Sequence, residues 1–133
     1  MSFEDYLREL ADPAREPAVS KLTNLCAMRA GQASLFMHAW REMALALRQR
    51  LLQGLIDLIE DNVELNFDAV FFIALADRDA GVRLSAIRGL WEYEERDLID
   101  VLLGLLRADP DAAVRAEAAL ALGRYVLQAE FET

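Results

Sequence analysis

The stretch DPDAAVRAEAALALGRY, Asp109 to Tyr125, decides the fold. DRDAGVRLSAIRGLWEY, Asp77 to Tyr93, lies on it without a gap about 32 residues upstream, and self-similarity at that period marks stacked helical repeats. Asp, Asp, Ala, Val, Arg, Ala, Leu and Tyr recur at matching places. A weaker copy, ALRQRLLQGLIDL, sets Leu47, Arg48, Gly54 and Leu55 on Val82, Arg83, Gly89 and Leu90. Asp12-Pro13 precedes Asp109-Pro110 by about three such periods and is followed by an apolar stripe of Val19, Leu22 and Leu25.

Each copy reads as two helices. In Arg96 to Arg107, RDLIDVLLGLLR, the leucines and Ile99 recur every three to four residues, the pattern of a helix buried along one face. Asp109-Pro110 then offers a capping carboxylate and a proline suited to the first helical position, so the next helix is predicted to open there. The same reading predicts helices over 3–11, 17–29, 32–45, 47–60, 65–77, 80–94, 96–107 and 110–128. Because nothing marks a clear break before Leu47, one long helix through that region is the alternative. No segment alternates with period two between turn dipeptides, so no sheet is expected. The predicted fold is all-α: an α-solenoid of about four hairpins and eight helices in one domain over 1–133, with repeats near 1–29, 32–60, 65–94 and 96–128.

Composition narrows the function. At 55% hydrophobic and 28% charged residues, the chain is too apolar for disorder and too charged for a membrane bundle. Its longest apolar run, Ala69 to Ala76, falls far short of the ~20 residues that cross a bilayer. The opening MSFEDYLREL lacks the basic stretch and apolar block of a secretory signal, which makes a cytoplasmic location the expectation. Net charge is −9 and arginines are scattered from Arg8 to Arg124, so no segregated basic face exists to collect phosphates. DNA, RNA and anionic membrane are disfavoured as partners, and a basic protein remains compatible.

The pattern Asp-x-Asp-x-x-Val-Arg-x-x-Ala-Ala-x-Ala-Leu-Gly, whole at Asp109 to Gly123 and partial at Asp77 to Leu90, resembles the second-helix signature of HEAT repeats, in the short bacterial form related to phycobilin-lyase-type repeats. The resemblance runs from about Leu47 to Tyr125. It implies a right-handed stack of hairpins whose second helices line a concave, ligand-holding face. It also implies a structural ladder in which Arg83 and Arg115 bridge to loop aspartates such as Asp79 and Asp111 of the same or the neighbouring repeat. Arg48 fits the ladder position, but Leu45 and Ala46 stand where its own repeat would carry the aspartate.

No catalytic, metal or cofactor constellation emerges. His38 is the only histidine, and HEAT-like hydroxylases would need repeated His-Glu pairs as metal ligands. Cys26 is the only cysteine, which excludes an internal disulfide and a cysteine-based zinc cluster and leaves it no redox or nucleophilic companion. Glu92, Glu94, Glu95 and Asp97 read as a solvated run between helices, with nothing to raise one pKa for acid–base work. Gly81, Gly89, Gly104 and Gly123 fall at or inside predicted helices and form no phosphate loop.

The expected function is therefore a non-catalytic scaffold or adaptor that binds another protein. The resemblance also allows a phycobilin-lyase-like subunit or cofactor-holding chaperone, and a HEAT-like DNA glycosylase would require a basic groove this charge balance does not supply. Aligning the second helices leaves three columns off the apolar stripe: Arg50, Ser85 and Glu117; Gln53, Arg88 and Leu120; Asp57, Glu92 and Arg124. These are expected on the concave face, with Trp91 as a candidate aromatic anchor. Between Arg50 and Arg78 there is no base, while Asp57, Glu60, Asp61, Glu64, Asp68 and Asp77 accumulate, so the partner is expected to bring a basic segment.

Overall fold

The computed structural model describes residues 1–12, 14–15 and 18–132, apart from the side chains of Val19 and residues 130–132. Among these residues every regular element is helical. Helix α1, Phe3–Leu10, opens on a reciprocal cap: the Asp5 amide donates to Ser2 Oγ at 3.1 Å and the Ser2 amide to Asp5 Oδ2 at 3.4 Å. It turns Tyr6, Leu7 and Leu10 inward and leaves Glu4, Asp5 and Arg8 in solvent.

The predicted helix over 17–29 is instead a 3-10 helix, Val19–Leu25; its expected start at Pro17 lies outside the described residues. A 3-10 helix eclipses positions three apart, and Leu22 and Leu25 are both buried at that spacing. The chain then passes through Ala27, held at φ 49°, where its amide donates to Asn66 O at 2.7 Å and the Asn66 amide to Cys26 Sγ at 3.3 Å. This pair of bonds clasps the first hairpin to the loop before the third.

Helix α2, Ala30–Glu42, and helix α3, Leu45–Asp61, are separate. Met43 and Ala44 are extended, with ψ of 144° and 148°, and the turn is fastened from inside because Arg48 Nη1 donates to Met43 O at 2.6 Å. No helix-breaking residue announces this turn, since its cause is a buried guanidinium. Helix α4, Asp68–Ala74, contributes Val70, Phe71 and Ala74 to the core.

Helix α5, Ala80–Gly89, ends five residues before the predicted 94. The Leu90 amide is shared between Ala86 O and Ile87 O, and the Trp91 and Tyr93 amides bond three residues back, so the last turn tightens and releases the chain. Helices α6, Asp97–Ala108, and α7, Ala112–Glu132, complete the chain. Helix α7 opens two residues later than predicted: Asp111 Oδ1 accepts from the Val114 amide at 3.1 Å, while Asp109 ends α6.

Helices α3, α5 and α7 pack side by side in that order, with α4 against α5 and α6 against α7. The stripe predicted from the repeat lies inside: Val82, Ala86, Leu90, Val114 and Ala118 are buried, and Tyr93, Leu122 and Tyr125 pack partly buried against them.

Candidate functional site

Arginine–aspartate rungs set the spacing of the layer. Arg83 Nε donates to Asp109 Oδ2 at 2.7 Å and Nη2 to Asp109 Oδ1 at 3.0 Å, while Nη1 reaches back to Asp77 O at 2.9 Å. Such a bidentate pair is geometrically demanding, and it joins the first turn of α5 to the loop that opens α7. One hairpin earlier, Arg48 Nη2 donates to Asp77 Oδ2 at 3.3 Å and Arg48 Nε lies 3.1 Å from Asp77 Oδ1. The same Asp77 carboxylate accepts from Trp40 Nε1 at 2.8 Å and the Asp79 amide at 3.0 Å.

The expected ladder partners Asp79 and Asp111 do other work. They accept from the Val82 and Val114 amides and cap α5 and α7. The rungs use the first aspartate of each loop because the second is committed to the helix N-terminus directly below it. Arg48, whose own loop lacks an aspartate, grips the one in the following loop. The Arg83 guanidinium holds the Asp109 carboxyl below its ordinary pKa, against the opposing effect of burial.

The predicted columns fall on the second helices. Arg50, Gln53 and Asp57 are exposed on α3, with Gln53 Nε2 donating to Asp57 Oδ1 at 2.9 Å. Across the layer, Arg88 Nε donates to Glu117 Oε1 at 3.1 Å, a bond that places these columns of α5 and α7 side by side. Leu120 stands 62% exposed on α7. Arg124 is spent on the fold: Nη2 donates to Tyr93 O at 2.8 Å, and the guanidinium lies 5.5 Å from the Trp91 ring centroid and 4.7 Å from that of Tyr125. Trp91 is 43% exposed, whereas Trp40 is buried, and His38 is an exposed side chain of α2.

Three of the predicted contact residues, Arg88, Trp91 and Glu92, meet in a groove of about 990 Å³ between the end of α3, the loop before α4 and the turn after α5. Its apolar lining includes Ile56, Ile59, Phe71 and Trp91. Glu60, Glu64, Asp68 and Glu92 supply four carboxylates against the single guanidinium of Arg88, itself engaged by Glu117. Burial, and secondarily the charge of Asp97, raises the Asp68 pKa. Tyr93, at the edge, is raised by burial and by its 2.7 Å hydrogen bond to Asp97 Oδ1. Gly89 lets the walls approach, since a Cβ there would overlap the Phe71 ring.

The acid count was readable from the run between Arg50 and Arg78, but the apolar lining was not, because Ile56 and Ile59 belong to the same periodic stripe as the core. Asp57 and Leu120, expected beside the anchor, do not line the groove. Among the described residues no group of three His, Cys, Asp or Glu side chains could hold a metal ion, and no helix is long and apolar enough to cross a membrane.

Helix pairs stacked in register and tied by arginine–aspartate rungs define an α-solenoid. The family described as HEAT repeats matches residues 69–130, from α4 into the end of α7, a little under half of the chain, and this match supports a HEAT-repeat reading of that stretch. No curated protein and no solved structure matches the chain. HEAT repeats as a class mediate contacts between proteins.

Proposed function

We propose that this protein is a non-catalytic interaction module that binds a partner protein through a segment both basic and apolar, seated on the concave side of α3 and α5. The observation that carries this reading is the groove itself, apolar in its lining and acidic at its edge, with a half-exposed tryptophan beside it. An apolar lining supplies burial, and the carboxylates select positive charge and speed encounter. Arg50, Gln53, Asp57 and Glu117 extend the same surface along the layer and belong to the wider footprint.

A synthetic helical peptide with leucines on one face and lysines on the other is the probe, its binding read by calorimetry and tryptophan fluorescence. Binding is expected to weaken as salt rises, and to fall at least several-fold in Glu60→Lys, Glu92→Lys and Trp91→Ala while Tm is retained. A glutamate-bearing peptide of the same apolar face is expected not to bind. Lysine-peptide affinity indifferent to salt and to both reversals would remove the groove as the site.

A further inference from the structure

The ladder has one unmatched position at each end of the described chain, and the two are complementary. Its rule is visible in two rungs: the second-helix arginine donates Nη1 to a carbonyl of its own loop and turns its remaining donors to the first aspartate of the next loop. Arg48 does this with Met43 O and Asp77, and Arg83 with Asp77 O and Asp109. The second hairpin has no aspartate in that loop; six residues before Arg48 stands Glu42, exposed at the end of α2. Correspondingly, the first hairpin has no arginine in Val19–Leu25, where Lys21 points away to Glu9 at 2.9 Å. Donors and acceptors are thus matched pair by pair.

Arg115 obeys the first half of the rule, with Nη1 on Asp109 O at 2.7 Å, and no carboxylate among the described residues lies within ion-pair distance of it. At the opposite end Asp12 has the geometry of a rung acceptor. Its Oδ1 accepts from the Ala14 amide at 2.9 Å, just as Asp77 accepts from the Asp79 amide at 3.0 Å and Asp109 from the Asp111 amide at 2.9 Å. Among the described residues its one nearby cation is Arg15, with Nε at 3.8 Å and the side chain 65% exposed. On the side where a following second helix would lie, α7 presents Ala112, Ala119 and Val126 to solvent with no charge among them: Ala119 stands where α3 has Leu52 and α5 has Ile87, both buried, and Val126 is 60% exposed.

We propose that copies of this chain stack head to tail, with Arg115 of one copy gripping Asp12 of the next as Arg83 grips Asp109, and with the uncharged face of α7 covered by the 3-10 helix of that next copy. The contact is heterologous and propagates as an open stack. The facing surface of the next copy carries Ser20, Thr23 and Asn24 and the charged side of α1, so little apolar area is contributed from that side and the association is weak.

Sedimentation of the full chain from micromolar to millimolar concentration is expected to show mass rising above the monomer. Arg115→Asp and Asp12→Arg are each expected to stay monomeric, because each retains one working end. Mixed, they are expected to associate where neither does alone, through Arg115 on Asp12 at one contact and through the two reversed charges at the other. Ala119→Arg, on an exposed side chain outside the ladder, is a second block of the Arg115 end: its mixture with Asp12→Arg is expected to form a one-to-one dimer, and its mixture with Arg115→Asp to stay monomeric. Helical circular dichroism confirms that each variant is folded. The proposal is overturned by wild-type protein that remains monomeric throughout, by Asp12→Arg protein that self-associates like wild type through an α7-to-α7 contact, or by an Ala119→Arg and Asp12→Arg mixture that does not dimerise.

Discussion

Asp77 and Asp109 show how single side chains hold the stack. Each carboxylate ties its own loop through an amide two residues on and receives an arginine from the preceding hairpin, and both are almost completely buried. Removing one partner strands the other, so Arg48→Ala is expected to cost about 3 kcal/mol and Arg83→Ala about 1–3 kcal/mol in denaturant unfolding, with Arg48→Met milder because it refills the space. Asp109 has a depressed folded-state pKa, so its contribution is present above the ordinary carboxylate range and is lost as pH falls through the lowered value. The stability of Arg83→Met should therefore depend less on pH across that acidic window than that of wild type. Ala27 is a separate matter: with φ at 49° its Cβ is crowded, and Ala27→Gly is expected to raise stability by up to about 1 kcal/mol in the same assay. An unchanged or lower midpoint would mean that the added freedom of the unfolded chain outweighs the relief.

At the scale of elements, α1 behaves as the polar lid of the first hairpin. It contributes Tyr6, Leu7 and Leu10 to the core and anchors the 3-10 helix, since Tyr6 Oη donates to Lys21 O at 2.7 Å. Deleting residues 1–16 is expected to lower Tm and expose Leu22 and Leu25, read as increased binding of a hydrophobic dye and loss of monomer on gel filtration. Equal stability and an unchanged monomer would reject the lid. Some of the element boundaries that the sequence missed share one cause. The break at Met43–Ala44 and the 3-10 geometry of Val19–Leu25 are imposed by side-chain contacts, from Arg48 and from the packing of Leu22 and Leu25. Around Met43–Ala44 helical propensity is too even to mark the break.

For the whole molecule, the proposed binding of a basic segment in the acidic groove carries a dependence on pH. Asp68 lies partly buried in the lining with a raised pKa, so it gains its proton at a higher pH than an aspartate in water would. A lysine-bearing partner favours its ionised form, and binding should weaken as pH drops toward that raised value, with proton release on binding measurable by calorimetry in buffers of different ionisation enthalpy. The effect on stability has the opposite sign: because the folded-state pKa exceeds the unfolded one, protonation of Asp68 relieves a desolvation penalty and contributes stability as pH falls. Asp68→Asn should flatten both responses while keeping the groove's shape. Affinity that falls with pH just as steeply in Asp68→Asn would assign the response to Glu60, Glu64 or Glu92.

The amino-acid sequence by itself determined the all-helical class, the repeat, the inward stripe from Val82 to Tyr93 and from Val114 to Tyr125, and the acidic character of the stretch after Arg50. Each depends on local periodicity or composition, which a linear reading preserves. Only the tertiary structure decided which aspartate each arginine takes, that Arg124 is folded onto Trp91 and Tyr125, and that Trp91, Glu92 and Arg88 share a groove with Ile56, Glu60 and Asp68. Two aspartates two residues apart are chemically equivalent until one is taken by a helix N-terminus. An isoleucine on an apolar stripe is core or groove according to whether a neighbouring helix covers it, and that depends on residues far away in the chain.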